Sequence, residues 1–152
     1  MVKRLAKLPG LTRLRLGSVE PHDINNALIK AVSEHPNVCR HLHIPLQSGD
    51  DEILALMGRR YNTQQFTDLI HKINQIMPGI AITSDIIVGF PGETQEHFQN
   101  TLKTVERSGF AGIHGFKYSP RKCTPGAEMT VRLLLQDKKE RRQVYRLGNA
   151  LK

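Results

Sequence analysis

The chain has 152 residues and a formal net charge of +8, and 39% of its residues are apolar. This length and apolar content fit a globular domain with a core of its own and exclude a largely disordered chain. No apolar run approaches the length of a membrane span, and the N-terminal stretch MVKRLAKLPG lacks the apolar segment of a secretory signal. A cytoplasmic location without a membrane partner is therefore expected.

The positive charge is concentrated near the C-terminus. Residues 117–152 hold ten Lys and Arg against three Asp and Glu, whereas residues 1–116 hold twelve against eleven. Such a surplus suits either a solvated helix face or a contact to a polyanion such as RNA. Loosely spaced Leu and Val residues predict a basic helix over residues 131–152, leading out of a domain that covers residues 1–130.

Four short apolar runs recur along the chain, and helical patterns separate them. The runs are Leu11–Leu16, His41–Leu46, Ile80–Val88 and Gly112–Tyr118. Apolar residues at the spacing of one helix face occupy three segments between these runs, 24–32, 66–77 and 98–105. This alternation predicts consecutive βα units and an α/β fold with a parallel sheet of about four strands, curved but not closed.

Capping residues mark the ends of the predicted helices. Asn62 and Gln65 have the spacing of a capping box that opens the second helix. Thr94 is the expected N-cap of the third helix, and Gly109 is its expected stop. A short extra helix is expected over Asp50–Met57.

Polar or conformationally special residues follow each apolar run. They occupy positions 17–21, 47–49, 89–93 and 119–122. Ligands of parallel α/β sheets gather at the carboxyl ends of the strands. In a barrel, the four stretches would therefore converge on one mouth.

The stretch DIIVGFPGET, residues 85–94, combines a strand with a turn. Ile80–Val88 is almost continuously apolar, as expected of a strand covered on both faces. Asp85 would then point into a barrel interior or a covered layer, where a carboxylate must be hydrogen-bonded or paired. The Gly-Phe-Pro-Gly turn would bring bare backbone close to a ligand in the mouth. A structural alternative is that Asp85 only ties strands together and Glu93 only caps the following helix.

Histidine and cysteine give weaker signals. His41 and His43 lie two residues apart and therefore share one face of the predicted strand. This spacing could serve a metal, but no third ligand follows at a fixed spacing. Packing in the core or mouth is therefore the favoured interpretation. Cys39 is expected to be a buried structural residue. Cys123 lies in a basic loop that could lower the pKa of its thiol, but a structural or incidental role is the favoured interpretation.

Four motifs together resemble one known family. They are RLRLGSVEP (13–21), CRHLHIPLQSGDDEILALMGRRY (39–61), AITSDIIVGFPGET (81–94) and IHGFKYSPRKCTPGAEM (113–129). The chain is similar, over about residues 8–130, to the radical S-adenosylmethionine (SAM) methylthiotransferases that modify tRNA or a ribosomal protein. RLGSVEP and IHGFKYSPRK most resemble the branch that acts on threonylcarbamoyladenosine in tRNA.

The resemblance implies an open, partial TIM-type barrel, of which this chain would form the C-terminal part. It also implies that eight residues contribute to the SAM pocket, with Ile87 and Gly89 approaching the adenosine. The eight are Ser18, Glu20, Gln47, Ser48, Asp85, Ile87, Gly89 and Glu93. The inner wall of the barrel would include Ile44, Leu46 and Ile82.

The reaction that the family implies is 2-methylthiolation of N6-threonylcarbamoyladenosine in tRNA, driven by reductive cleavage of SAM at a [4Fe–4S] cluster. The family holds this cluster with a C-x3-C-x2-C loop that this sequence does not contain. The chain is therefore expected to be a fragment that needs further N-terminal and C-terminal domains and is inactive alone. Six basic residues are expected to contact tRNA, namely Arg121, Lys122, Lys138, Lys139, Arg141 and Arg142. The alternative is a non-catalytic RNA-binding or scaffold module derived from the same fold.

Overall fold

The structure, a computed structural model, describes residues 1–120 and Gly126. The helices are α1 (Val2–Leu5), a 3-10 helix (Pro21–Asp23), α2 (Asn26–Glu34), α3 (Asp51–Leu56), α4 (Thr63–Ile76) and α5 (Gln95–Ser108). The strands are β1 (His41–His43), β2 (Ala81–Val88) and β3 (Gly112–Lys117). The predicted helix over residues 131–152, the six basic residues expected to contact tRNA and Cys123 lie outside the described residues.

The three strands form one parallel sheet in the order β1-β2-β3. His43 pairs with Thr83 across the first interface, and Asp85 pairs with His114 across the second. Helices α3 and α4 connect β1 to β2, and α5 connects β2 to β3. The predicted α/β architecture of sequential parallel βα units is confirmed.

The predicted first strand, Leu11–Leu16, is reduced to isolated contacts. Two parallel bridges remain, one between Leu14 and Val38 and one between Ser18 and His43. The bridged residues of the first segment are four apart in sequence, whereas their partners are five apart, so no continuous ladder can join them. A tight turn in which His41 N donates to Cys39 O at 2.8 Å takes up the extra residue. The described sheet therefore has three continuous strands rather than about four.

The sheet has one buried face and one partly open face. Residues of β2 alternate between the two, with Ile82, Ile86 and Val88 buried and Thr83, Asp85 and Ile87 only partly so. The partly buried side is called the open face below. It also carries the side chains of β1 and β3 that lie beside these residues. The expectation that β2 is covered on both faces is therefore wrong for the described residues.

The inner wall expected from the family resemblance also needs correction. Ile44, Leu46 and Ile82 are at most 2% exposed, and they belong to the same core cluster as Phe66 and Ile70 of α4. They lie on the helix side of the sheet because the alternation along each strand directs them away from the open face. Burial of each such side chain contributes roughly 1.5–3 kcal/mol, so this layer supplies much of the stability of the fold.

The predicted caps are present. Asn62 and Gln65 form a complete capping box at the start of α4. The Thr94 side chain accepts a hydrogen bond from His97 N at the start of α5, and Gly109 ends that helix with φ +60°. Asp50 caps α3 by accepting hydrogen bonds from the first-turn amides. Local sequence therefore fixes the helix ends, as expected of capping residues that satisfy unpaired backbone groups.

Within the part of the chain that the structure describes, no helix is both long enough and apolar enough to cross a membrane.

Candidate functional site

A cavity of about 550 Å³ opens where the three strands end. Its walls include Gln47 after β1, Ile87 near the end of β2, and Phe116 and Lys117 at the end of β3. Arg59, from the segment after α3, also lines it. The volume falls in the range of pockets that hold nucleoside-sized ligands, and its position at the carboxyl ends of the strands is the one expected for an α/β sheet.

Gln47, which lines this cavity, has a strained backbone conformation. It is the one non-glycine residue with positive φ, +68°, in the described part of the chain. Ser48 N donates to Leu46 O across it at 2.9 Å, which closes a γ-turn of the rare positive-φ form. Its own N–H and C=O bond to Asp85 O and Ile87 N, each at 2.8 Å. The neighbouring strand therefore enforces the strain, as is common at binding sites.

Tyr61 stabilises this turn by hydrogen bonding to its backbone. Its hydroxyl donates to the carbonyl oxygens of Pro45 and Leu46, at 3.0 and 3.1 Å. Burial raises the pKa of Tyr61 to about 12, while nearby Arg59 lowers it and Glu20 raises it to smaller extents. The neutral phenol is the form that the fold stabilises, because only the neutral phenol can donate to these carbonyls.

We expect the Tyr61→Phe variant to lose stability at neutral pH and to lose less of it at high pH. The raised pKa means that the contribution of Tyr61 is fully present below pH about 10 and disappears as pH rises toward about 12. Removing the hydroxyl takes its hydrogen bond from the Pro45 carbonyl and leaves the Leu46 carbonyl with Ser48 N as its donor, at a cost of about 1 kcal/mol at pH 8. Urea unfolding of both proteins at pH 8 and pH 11 measures this. Equal stability differences at the two pH values would contradict the role given to the hydroxyl.

The Ser48-Gly49 pair is clasped onto α5 by two threonines. Gly49 N donates to Thr101 Oγ1, and Thr104 Oγ1 donates to Gly49 O, both at 3.0 Å. The Ser48 hydroxyl is fully buried, lies 3.4 Å from Thr101 Oγ1 and accepts from Asp50 N at 3.3 Å. The structure therefore directs Ser48 toward the helix layer rather than toward the cavity.

The loop after β2 folds back on itself next to the cavity. Glu93 N donates to Phe90 O at 3.0 Å, and Pro91 and Gly92, with φ +87°, occupy the central positions of a type II turn. The buried Glu93 carboxylate accepts a hydrogen bond from Gly89 N at 2.7 Å. Gly89 has φ +78°, a conformation that favours glycine. This carboxylate therefore fixes the backbone of the loop where it passes the cavity.

Two other predicted pocket residues lie further from the cavity. Ser18 is exposed and pairs through its backbone with His43. Glu20 accepts hydrogen bonds from Arg59 Nη1 at 3.0 and 3.2 Å, so it touches the cavity only through that arginine. Among the eight residues, Gln47 and Ile87 line the cavity directly. The assignment of all eight to a SAM pocket stays a prediction.

Asp85 lies on the open face between two histidines of the neighbouring strands. Its carboxylate oxygens are 3.2 Å from His43 Nε2 and 3.5 Å from His114 Nδ1. His41 shares this face, as the sequence predicted, and desolvation, with smaller effects of Arg15 and His43, lowers its pKa. Asp85 is only partly buried, and the expectation that its carboxylate is paired is met by one histidine from each of the two neighbouring strands.

Sequence reasoning missed the aromatic wall of the cavity. Phe90 and Tyr118 meet edge to face with ring centroids 5.0 Å apart, and Phe116 is 51% exposed beside them. All three line the cavity. A signal was present in the sequence, since Phe116 follows His114 by two residues and therefore shares its face.

Parallel βα units with a nucleoside-sized cavity at the strand ends define an α/β ligand-binding domain of the open-barrel type. The sequence profile of the Radical SAM superfamily matches residues 2–105. The chain belongs to the Radical SAM superfamily.

Curated relatives cover nearly all of the chain. It is 43% identical over 146 residues to the threonylcarbamoyladenosine tRNA methylthiotransferase MtaB of Thermotoga maritima. It is 42% identical over 144 residues to the tRNA-2-methylthio-N(6)-dimethylallyladenosine synthase of Endomicrobium trichonymphae. These matches cover 96% and 95% of this chain. The chain spans only 34% of the length of each of the two relatives.

Solved structures show the same fold at low sequence identity. Coproporphyrinogen III oxidase (HemN) of Escherichia coli superposes with a TM-score of 0.70 at 20% identity, over 86% of this chain and 30% of that one. The radical SAM methyltransferase TsrM of Kitasatospora setae gives a TM-score of 0.60 at 19% identity, over 76% of this chain and 23% of that one. The partial-barrel architecture is therefore shared with radical SAM enzymes.

The described residues suit one of the two groups that the superfamily uses. Gln47, Ile87 and the aromatic side chains of Phe90, Phe116 and Tyr118 line a cavity that fits a nucleoside such as that of SAM. A [4Fe–4S] cluster needs several thiolates. Cys39 is the single cysteine among the described residues, and it precedes β1 at the opposite end of the sheet from the cavity. The described residues therefore do not fit the cluster.

Proposed function

We propose that this chain is part of a tRNA methylthiotransferase that acts on N6-threonylcarbamoyladenosine, and that it supplies part of the SAM pocket. The observation that carries the proposal is the cavity at the strand ends, which Gln47 of the QSG motif and Phe90 of the GFPGE motif both line. SAM, when bound beside a reduced cluster, supplies radical chemistry. A tRNA substrate agrees with the cytoplasmic location expected from the sequence.

The residues of this chain act by binding and positioning. Backbone hydrogen bonds from Gln47 to Asp85 and Ile87 hold the turn in place beside the cavity. Gly89 has no side chain, so the loop that follows it can pass close to a ligand. Ile87 and the aromatic rings of Phe90 and Tyr118 supply apolar surface for an adenine ring and help to exclude water. The Glu93 carboxylate holds the Gly89 amide, so the loop is ordered before the ligand arrives.

The cluster has to be held elsewhere in the complete protein. Two cysteines, Cys39 and Cys123, are fewer than the three that the family's C-x3-C-x2-C loop supplies. We infer that the isolated chain does not cleave SAM. Activity would require the further domains that the greater length of the relatives makes room for.

The choice of nucleoside rests on sequence features rather than on overall identity. Relatives named for threonylcarbamoyladenosine and for dimethylallyladenosine match at 43% and 42%. The segments RLGSVEP and IHGFKYSPRK favour the threonylcarbamoyladenosine branch, and residues 116–119 of the second segment line the cavity. This part of the proposal is the one that a product analysis decides.

The test expresses the complete protein that carries this chain in a bacterium lacking its own threonylcarbamoyladenosine methylthiotransferase. Digested tRNA is then analysed by liquid chromatography and mass spectrometry. We expect 2-methylthio-N6-threonylcarbamoyladenosine to appear, and the 152-residue chain alone to yield none. Formation of the dimethylallyladenosine product would contradict the assignment to the threonylcarbamoyladenosine branch. Binding of tRNA without any methylthio product would favour the scaffold alternative.

The basic C-terminal residues are proposed to bind tRNA through phosphate charges. Replacing Lys138, Lys139, Arg141 and Arg142 by Gln should weaken tRNA binding and flatten its salt dependence, by about one unit of slope per lost phosphate contact. Filter binding at several salt concentrations measures the slope. A matched variant neutralises the exposed Lys30 and Lys72 on α2 and α4. An equal change in slope per replaced charge in the two variants would show a general charge effect and not a binding face.

A further inference from the structure

The open face carries two histidines and a carboxylate on three adjacent strands. His43 lies on β1, Asp85 on β2 and His114 on β3, and their potential ligand atoms all lie within 4.8 Å of one another. Asp85 and His114 are direct register partners across the parallel pair. We propose that these three side chains form a binding site for one divalent transition-metal ion of the class that includes Zn²⁺ and Fe²⁺.

The distances suit such an ion. Tetrahedral Zn²⁺ binds nitrogen and oxygen at about 2.0–2.2 Å, so its ligand atoms lie roughly 3.3 Å apart. The two His–Asp85 separations of 3.2 and 3.5 Å already match this spacing. A rotation of His114 would close the third separation. The His114 side chain is 62% exposed and its ring already contacts that of His43, with centroids 5.7 Å apart, whereas the His43 side chain is 16% exposed.

Hydrogen bonds on the open face fix which nitrogen of His43 points at Asp85. Arg15 Nη2, which can only donate, lies 3.3 Å from His41 Nε2, so that nitrogen accepts. Thr83 Oγ1 lies 3.0 Å from the same nitrogen, and by donating its hydrogen there it shares the single lone pair of that nitrogen with Arg15. Thr83 Oγ1 must then accept from His43 Nδ1, which lies 2.9 Å away.

This chain of donors leaves His43 Nε2 facing Asp85. A lone pair directed at a carboxylate oxygen 3.2 Å away is repulsive unless a proton or a cation lies between them. Metal-bound histidines typically donate their second ring N–H to an outer partner, and Thr83 provides that partner here. His43 is therefore oriented as a metal ligand and not only as a packing residue.

Three protein ligands leave positions for water or substrate. Two histidines with one carboxylate are found in catalytic zinc sites and in non-haem iron oxygenases. The open positions point away from the sheet, on the same face as Ile87, which lies two residues or roughly 6.6 Å further along β2 toward the cavity. The site rests on the fold alone and is independent of the proposed methylthiotransferase activity.

The test uses the 152-residue chain, stripped with a chelator and titrated with Co²⁺ while its visible absorption is followed. Zn²⁺ titration calorimetry gives the affinity. We expect one ion per chain with a tetrahedral or five-coordinate Co²⁺ spectrum. Asp85→Asn and His114→Gln should each weaken binding at least about 100-fold, since losing even an outer partner costs roughly 10–100-fold. Thr83→Val removes that outer partner and should weaken metal binding by roughly 10–100-fold.

His71→Gln is the matched control, because His71 is an exposed histidine on α4, remote from the three ligands in sequence and on a helix. Its metal affinity should equal that of the parent chain. His114→Gln alters a mostly exposed side chain, so it keeps the test independent of folding. Unchanged affinity in both Asp85→Asn and His114→Gln would overturn the proposal, as would the absence of any Co²⁺ binding.

Discussion

Replacing Gly89 by Val in the complete protein should lower its SAM cleavage rate by about 100-fold, the loss typical of a misplaced binding geometry. Gly89 has φ +78°, and its N–H is held by the Glu93 carboxylate at 2.7 Å. A branched side chain disfavours this backbone and adds bulk where the proposed nucleoside passes. Single-turnover formation of 5′-deoxyadenosine is the measurement, together with equilibrium binding of SAM.

Gly10→Val separates this effect from backbone strain in general. Gly10 has the same φ of +78°, and a Cβ atom added there would meet no neighbouring atom within 4 Å, so the variant meets only the strain. Non-glycine residues in this conformation cost roughly 1–2 kcal/mol. We expect Gly10→Val to lose stability but to keep the parent rate of SAM cleavage. A normal rate in Gly89→Val would show that the nucleoside does not approach this loop.

Local signals in the sequence predicted the helices well. The capping box of Asn62 and Gln65, the Thr94 cap and the Gly109 stop depend on contacts within a few residues, and all are present. The parallel direction and the sequential order of the strands were predicted from the alternation of strands and helices along the chain. The first strand could not be predicted correctly, because its break comes from a one-residue mismatch with the segment that ends in β1, and register is a property of the pair.

The candidate site was predictable only in part, for the same reason. Gln47 and the Gly89 loop stand out by motif, and both lie at the cavity. The cluster of His43, Asp85 and His114 could not be found, because its members are about thirty to forty residues apart and only the strand register brings them together. From the sequence, His41 and His43 could be placed on one strand face, but no third ligand could be identified. The further ligands come from the neighbouring strands.

The burial of three large apolar side chains under the helices supports the stability of the isolated chain. Leaving Ile44, Leu46 and Ile82 wet would have consumed much of a margin of about 5–15 kcal/mol. These residues are buried by α4 and the other helices, and the residues on the open face are mainly polar. The mismatch in the first segment also makes its edge a poorer template for self-association, since an irregular edge presents few aligned backbone groups.

Gly49→Ala should cause the largest loss of stability, because Gly49 has no room for a side chain. A Cβ atom there would lie 2.6 Å from Thr101 Cα and 2.7 Å from Thr104 Cβ, and neither can move without shifting α5. Overpacking of this kind costs about 1–3 kcal/mol. The two hydrogen bonds that clasp Gly49 would also be disturbed, at about 1 kcal/mol each. We therefore expect a loss of about 3 kcal/mol or more in the free energy of unfolding.

The same substitution should impair the cavity, because Gln47 lies two residues away on the segment that the clasp anchors. Gly17→Ala is the control, since no atom lies within 4 Å of its added carbon and its φ is not positive, and it should change stability by less than about 0.5 kcal/mol. Urea unfolding gives the stabilities, and SAM binding by the complete protein gives the second readout. If Gly49→Ala unfolds at the parent urea concentration, the packing of the QSG segment against α5 is wrong. Lower stability with unchanged SAM affinity would instead show that the clasp does not position Gln47.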